Sequence, residues 1–378
     1  MTQYLFRDDK GLYEYQLHTQ RKLSLNHLMP SERNQLLSNE ETKIITGHSF
    51  NPTSNQELIL DADGNYTHNI FKRFKPTHNN DQNITNFLEL MLRLFPDSRD
   101  YNQVLQFIAH MIQKPEQRPS YGLLLTSESG TGKGVLYDKV ISPLLAYQSI
   151  KVNKYSRLFE RFSTVLFNNL LCWLDDPPKS KHNTMQAFRG LTSDPTVTIE
   201  LKGGSTFTIK TITRLILASN ERTPLMLTKD DLRRWYAPRF ITHKVDQRET
   251  QEFISSIINE LDISAIYNYL SKLDLSDFNP FLVAPTDTLK EMIGASKLPL
   301  QEEIEDYLEN HKVFKFNALK QFLGGFTADR DITNILQSLD YTSSRVLVGG
   351  TQHRVWYLKT LSKEDIKEYI SEDPFNFS

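Results

Sequence analysis

The chain has 378 residues, and its 44 Lys and Arg stand against 46 Asp and Glu, a net charge of −2. That length asks for about two to four domains, and the near-neutral balance excludes a generically basic nucleic-acid coat, so any DNA site must be a local patch. A single cysteine, Cys172, excludes a disulfide framework or a multi-cysteine zinc site and fits a reducing cytosol; with no uncharged apolar run long enough to span a bilayer and no basic-then-apolar leader, no membrane partner is expected.

Residues 1–80 read as a β-rich segment of short strands. Asp8-Asp9-Lys10-Gly11 marks one turn and Asp61-Ala62-Asp63-Gly64 another; the second lacks the third acidic ligand and the terminal Glu that a calcium loop needs. Lys72, Arg73 and Lys75, interleaved with Phe71 and Phe74, form a basic stretch. Residues 81–118 turn helical, a small collar. Ile84, Phe87, Leu88, Met91, Leu92 and Phe95 share one apolar face, closed by Pro96, and Val104, Phe107, Ile108 and Met111 share another.

Residues 119–245 alternate strands and helices as an α/β core. The apolar strand Tyr121–Thr126 runs into Ser127-Glu128-Ser129-Gly130-Thr131-Gly132-Lys133-Gly134 and a helix from Val135 to Ile141, the context of a phosphate-binding loop. Glycines let backbone N–H groups turn toward phosphate oxygens, and Lys133 can reach the β- and γ-phosphates. Ser129, Gly130, Thr131, Gly132, Lys133, Gly134 and Val135 are the candidate nucleotide contacts. Two positions depart from the pattern: Ser127 replaces a Gly, and Gly134 replaces the Ser or Thr whose hydroxyl normally touches Mg²⁺.

Lys151, Lys154, Arg157 and Arg161 make a second basic stretch, which, like the first, reads as a DNA-facing patch, a solvated face or a subunit contact. A second apolar strand ends in Asp175-Asp176. Asp175 suits the metal, and Asp176 suits orientation and deprotonation of the attacking water. Val197–Leu201 and Thr206–Ile212 flank a glycine tip as a hairpin, where Lys202 and Gly203 are placed to touch a nucleic-acid backbone. A third strand, Arg214–Ser219, ends at Asn220, which can hold the attacking water or serve as a plain turn residue. Asp230-Asp231-Leu232-Arg233-Arg234-Trp235 offers arginine forks for transition-state charge or for ion pairs with the adjacent aspartates.

Residues 246–296 read as a helical extension with a linker from Asp274 to Pro285. Residues 297–360 place three helices before a hairpin turned by Gly349-Gly350, the order of a winged helix, with Arg345 and Arg354 on the hairpin as DNA-binding candidates. Residues 361–378 read as a C-terminal tail, frayed or docking, that ends in acids and aromatics.

The order of these motifs, with Gly130-Thr131-Gly132-Lys133-Gly134, Ala218-Ser219-Asn220-Glu221 and Arg233-Arg234-Trp235 as its most specific parts, resembles the superfamily 3 (AAA+) DNA helicases of phage and mobile-element primase–helicase or primase–polymerase proteins. The resemblance covers residues 83–240. It implies an AAA+ P-loop NTPase core, with ATP and Mg²⁺ as cofactors, in a chain that also carries the collar and the winged-helix-like domain. It also implies a hexameric ring of this chain, acting on single-stranded DNA and forked duplex in the cytoplasm of a bacterial host. Asp176 and Asn220 would act from one subunit, Arg233 or Arg234 from its neighbour, and Lys202 would carry the DNA backbone. Residues 1–80 hold no primase or polymerase signature, so the chain is expected to be either a stand-alone helicase or the C-terminal part of a larger replication protein, with a primase or polymerase domain or partner elsewhere. The expected function is an ATP-dependent helicase of DNA replication; the alternative is a nucleotide-gated DNA-binding or loading protein without motor activity.

Overall fold

The computed structural model describes residues 3–372 apart from 9, 61–62, 160–165, 167, 179, 181, 194–195, 201–205 and 326. The N-terminal part is a six-stranded sheet built from β1 (Gln3–Asp8), β2 (Gly11–Gln16), β3 (Arg21–Ser24), β4 (Thr42–Ser49), β5 (Leu58–Leu60) and β6 (Tyr66–Asn69), with helix α1 (Pro30–Ser38) before β4. The strand order is β3-β2-β1-β4-β6-β5, and β4 pairs parallel with both β1 and β6. The sheet has its own small core of Phe6, Tyr15, Leu17 and Ile45. Beside it, the Tyr15 hydroxyl lies 2.6 Å from His48 Nε2 and 2.9 Å from His68 Nδ1. Burial lowers both imidazoles, His48 to about 4.

Residues 70–80 strap this sheet onto the collar. Arg73 donates to the Ile112 carbonyl at 3.2 Å, Phe74 packs on Tyr267, and the Thr77 N–H donates to Ser264 Oγ at 2.9 Å. The first basic stretch is therefore partly spent on packing. The collar is α2 (Thr85–Leu94) and α3 (Ser98–Gln113), the second capped by the Asp97 carboxylate, which accepts from the Arg99 and Asp100 N–H groups. Phe87 and Met91 of α2, Phe95 just after it, and Val104, Phe107, Ile108 and Met111 of α3 are buried as their spacing required, whereas Leu92, expected on the same face, is exposed.

The central layer is a five-stranded sheet of β7 (Gly122–Thr126), β8 (Ser149–Val152), β9 (Leu171–Asp175), β12 (Arg214–Ser219) and β13 (Trp235–Tyr236). All its pairings are parallel, and the order is β13-β7-β12-β9-β8. Along β7, Leu123 and Leu125 face the collar while Leu124 faces the other layer; Trp173 and Cys172 divide the same way on β9. Period-two alternation with apolar residues at both phases is what a sheet covered on both sides requires. After β7 the chain forms α4 (Lys133–Val135), a π-helical turn (Leu136–Ile141) and α5 (Ser142–Leu144). The expected single regular helix is thus widened, next to Pro143, which has no N–H to offer an α-helical bond. Next come α6 (Ser156–Phe159) and α7 (His182–Ser193), then the antiparallel pair β10 (Thr196–Glu200) and β11 (Thr206–Lys210) between β9 and β12. The second basic stretch starts on β8, where Lys151 pairs with Asp138 at 2.8 Å; Arg161 lies outside the described residues.

Two helices follow the sheet, α8 (Gln247–Ile257) and α9 (Ile263–Lys272). The segment expected as a linker, 274–285, is packed instead. Phe278 and Val283 are buried, and the Ser120 N–H donates to the Pro280 carbonyl at 2.8 Å. Helix α10 (Asp287–Ala295) leads to α11 (Lys297–Asn310), β14 (Val313–Phe314), α12 (Phe316–Phe322), α13 (Asp329–Ser338), β15 (Tyr341–Val348) and β16 (Thr351–Leu358). The three strands form an antiparallel sheet, β14-β16-β15, whose hairpin turns at Gly349 and Gly350, both at positive φ (57° and 84°) that side chains disfavour. Residues 361–378 do not read as an element in the sequence, yet α14 (Lys363–Glu372) forms there and buries Ile366 and Ile370 against Val313 and Val355. Residues 373–378 lie outside the described residues. No described helix is long and apolar enough to cross a membrane.

Arg214 opens β12 and is 1% exposed. Its guanidinium donates to four carbonyls: Pro115 at 2.6 Å, Ile212 at 3.0 Å, Lys114 at 2.7 Å and Gln117 at 2.6 Å. Three of these belong to the turn that leaves α3 for β7, so one side chain joins the collar to the central strand. Arg214→Met should cost about 3 kcal/mol or more, because it leaves buried carbonyls unpaired, and Arg214→Lys should rescue little, because an ammonium lacks the planar fork. Denaturant unfolding of the two variants against the parent measures both.

Candidate active site

Three strand ends converge at the carboxyl edge of the parallel sheet. β7 ends in the glycine loop, β9 in Asp175 and β12 in Ser219, with Asp176 just beyond β9 and Asn220 just beyond β12. The loop takes left-handed turns at Gly130 (φ 79°) and Gly132 (φ 107°). A Cβ on Gly132 would lie 3.4 Å from Ile254 and Leu90, so α8 and α2 press on the loop from outside. A Cβ on Gly134 would meet nothing within 4 Å, which leaves open space where a hydroxyl was expected. Ser129 is exposed, Thr131 is buried and Val135 is half-buried.

Lys133 folds inward. Its ammonium donates to Ser127 Oγ, to the Ser219 carbonyl at 2.9 Å and to Asn220 Oδ1 at 3.2 Å. Burial pulls its pKa down to about 8, a shift that Asp176 and Asp175 partly offset. Asn220 bridges from this lysine to Asp176: its Nδ2 donates to Asp176 Oδ2 and its backbone N–H to Oδ1, each at 3.1 Å. The Ser219 hydroxyl adds a third donor at 3.1 Å. Asp176 itself sits at φ 45°, a strained conformation for a residue with a side chain, anchored by its N–H on the Ala218 carbonyl at 2.8 Å. Asp175 accepts from Trp173 Nε1 at 3.3 Å. The structure therefore brings Lys133, Asp175, Asp176 and Asn220 to one place.

Arg233 and Arg234 are elsewhere. The Arg234 carbonyl accepts from the Gly122 N–H, and Trp235 pairs with Gly122, at the amino end of β7. The five residues of β7 separate this edge from the glycine loop by about 16 Å. The two arginines also differ. Arg234 is tucked in, donating to the Asp230 carbonyl and lying 3.9 Å from Asp231. Arg233 is exposed, and no ion pair is found for it among the described residues.

The remaining candidates are spread out. Lys202 and Gly203 lie outside the described residues; only the strands that flank them are seen, in the register Val197↔Ile209 and Ile199↔Phe207. Arg345 and Arg354 are cross-strand partners on the outer hairpin, both exposed.

Two contributors were not among the predicted site residues. Ser127, a departure from the glycine pattern, holds the resting Lys133 and accepts from Thr131 Oγ1 at 3.1 Å. Arg189 of α7 clamps the buried Asp231 carboxylate through two bonds, 2.9 and 2.8 Å, and so fixes the segment that presents Arg233. A serine in place of a glycine beside a lysine was a usable signal; Arg189 carried none, since its partner is 42 residues away.

Comparison with known proteins fits this layout. Residues 125–234 match a family of unknown function, DUF5906. The chain is similar to the DNA primase-polymerase of Nitratiruptor phage NrS-1, 25% identical over 260 residues, 64% of this chain and 35% of that protein. It thus spans about a third of the length of that relative. Its fold is similar to the apo structure of the NrS-1 C-terminal region, with a TM-score of 0.60 and 18% identity over 94% of this chain and 96% of that one. An A form of the same region gives 0.57 and 16%, over 94% and 97%. The chain is therefore related to a phage primase–polymerase, and its fold is that of the relative's C-terminal region.

The state of Lys133 sets a pH dependence. The free protein holds it neutral above about 8, so binding a phosphate group there requires proton uptake at higher pH. If Lys133 holds a phosphate, affinity for ADP should fall as the pH rises through about 8, and Lys133→Gln should bind weakly with no such slope; titration calorimetry across this range reads both.

Proposed function

We propose that this chain is an ATP-dependent DNA helicase that works as a ring, six subunits by resemblance, in phage or mobile-element DNA replication. One observation carries the reading. The groups suited to hold and attack a phosphate sit at the carboxyl edge of the sheet, and the exposed Arg233 sits at the opposite edge. The arginine cannot serve its own loop across about 16 Å, so a complete site needs a second copy of the chain. The strand order supports an AAA+ core: numbered along the chain, the strands lie 5-1-4-3-2, with the glycine loop on a strand flanked by both neighbours. The three helices and antiparallel sheet of the C-terminal unit support the winged-helix-like reading.

The residues fit ATP with Mg²⁺. The loop offers glycine N–H groups at positive φ and a lysine that can leave Ser127 for a phosphate. Asp175 is half-buried at the strand end and Asp176 is exposed beside it, the one or two carboxylates that Mg²⁺ takes when phosphates and water fill its other positions. Bound with the nucleotide, Mg²⁺ would offset phosphate charge. Asp176, held by the Asn220 amide and the Ser219 hydroxyl, faces the attacking water and accepts its proton. Asn220 loses its lysine when Lys133 moves to the phosphate, which leaves Oδ1 free to orient that water. Arg233 of the neighbour would meet the charge that develops on the γ-phosphate. The hairpin between β10 and β11, with Lys202 and Gly203 at its tip, and the exposed Arg345 and Arg354 are the DNA contacts of this reading, gripping phosphates without reading bases. The relationship to a phage primase–polymerase supports single-stranded DNA and forked duplex as partners and a primase or polymerase activity nearby.

Hydrolysis should be stimulated by single-stranded DNA, and a forked duplex should be unwound. Arg233→Ala should lower turnover at least about 100-fold with ADP affinity retained, whereas Arg234→Ala should chiefly destabilise the fold. Lys202→Ala should lose DNA stimulation and unwinding together. Hydrolysis indifferent to DNA, with no unwinding at any protein concentration, overturns the motor and leaves the loading protein.

A further inference from the structure

His243 lies under the glycine loop and is 11% exposed at its side chain. It belongs to a segment that runs beside the loop as an added strand: the Ile241 N–H donates to the Thr126 carbonyl and the Glu128 N–H to the Ile241 carbonyl, each at 2.9 Å. Its own N–H donates to Glu128 Oε2 at 3.2 Å. The imidazole then makes three contacts, one of them between Nε2 and Glu128 Oε2 at 3.9 Å. Nε2 is 3.1 Å from the Ser129 carbonyl, and Nδ1 is 2.9 Å from Oγ1 of Thr250, a buried residue on α8.

A carbonyl only accepts, so Nε2 carries the proton and donates to Ser129. Nδ1 meets Thr250 Oγ1, a hydroxyl that itself donates to the Asp246 carbonyl at 2.9 Å and so stands fixed on α8 as an anchor for the ring. A trans peptide is planar, with its C=O and the following N–H pointing in opposite directions. Holding the Ser129 carbonyl outward on His243 therefore aims the Gly130 N–H the other way, into the loop. Gly130 sits at φ 79°, where a peptide can flip at little steric cost. Something outside the loop must choose the orientation.

We propose that His243, steered by Thr250, is the positioning residue that turns the Ser129–Gly130 peptide so that the Gly130 N–H donates to a nucleotide phosphate. This rests on the nucleotide reading of the loop. It adds a coupling: α8 supplies Thr250, and Gln247 and Ile254 of the same helix lie against Gly130 and Gly132, so the helix that follows the core reports on the state of the loop.

The test measures ADP binding by calorimetry and ATP turnover by steady-state kinetics in the full chain. His243→Phe keeps the ring and removes the donor. It should raise the Kd for ADP and the KM for ATP about tenfold, the value of one hydrogen bond to a charged group, with kcat lowered less than about twofold. His243→Gln, which carries both a donor and an acceptor, should recover most of the affinity. Thr250→Val should fall between the parent and His243→Phe. An unchanged Kd in His243→Phe, a loss confined to kcat, or a Gln variant no better than Phe overturns the proposal. If His243→Phe does not fold, the Gln and Val variants decide: a Thr250→Val Kd equal to the parent's is a refutation. Failure of the parent itself to bind ADP would overturn the nucleotide reading, a result distinct from all of these.

Discussion

A buried guanidinium organises this chain. Arg214 begins the central strand of the parallel sheet and gathers carbonyls from the turn between the collar and β7. Burial pulls its pKa down to about 9, so the interior resists the charge, and the four accepting carbonyls are what keep it there. The turn so fixed delivers the chain to Tyr121 and then to β7, whose carboxyl end is the glycine loop. The placement of the loop is thus set by a residue at the far edge of the sheet. The same turn is reached by the segment around Phe278 and Pro280, so three parts of the sequence meet at one point.

At the other edge the resting site satisfies itself internally. Lys133 is held by Ser127, Ser219 and Asn220, and Asn220 in turn holds Asp176. Each group proposed to act on a nucleotide is parked on another group proposed to act. On the proposed reading, a phosphate entering the loop would compete for the lysine first, and release of Asn220 and reorientation at Asp176 would follow from that exchange. The backbone at Asp176, at φ 45°, is anchored by its N–H on the Ala218 carbonyl, while its carboxylate is held by Ser219 and Asn220.

Much of this was legible in the residues. Glycine spacing marked the loop, alternation marked the sheet, the apolar stripe of α2 and α3 marked the collar, and apolar strands ending in Asp175 and Asn220 marked the edge where they converge. What was not legible has a common cause: pattern announces an element and says little about its distant partner. Arg214 reads as a strand-end cation, and three of its four acceptors lie 97 to 100 residues earlier. Arg189 and Asp231, His243 and Ser129, and Tyr15 with His48 and His68 are likewise pairs made by tertiary contact alone. The 274–285 segment misled for the opposite reason. Its Pro and Asp residues do break helices, but a broken helix is still free to pack. The helix at 363–372 has a weak apolar pattern that only the neighbouring sheet makes sufficient.

The lower face of the parallel sheet has a mechanical meaning. Leu124, Leu174, Leu217 and Trp235 share one continuous core with Leu289, Ile304, Leu336 and Trp356 of the C-terminal unit, and the Leu227 N–H is bonded to the Ser296 hydroxyl at the seam. Prising the two apart would expose several large side chains at about 1.5–3 kcal/mol each. The sheet and the C-terminal unit are therefore held together by a shared core among the described residues. In the ring proposed above, a stroke would have to arise between whole subunits or within surface loops, and the hairpin bearing Arg345 and Arg354 would move only as far as its own subunit turns.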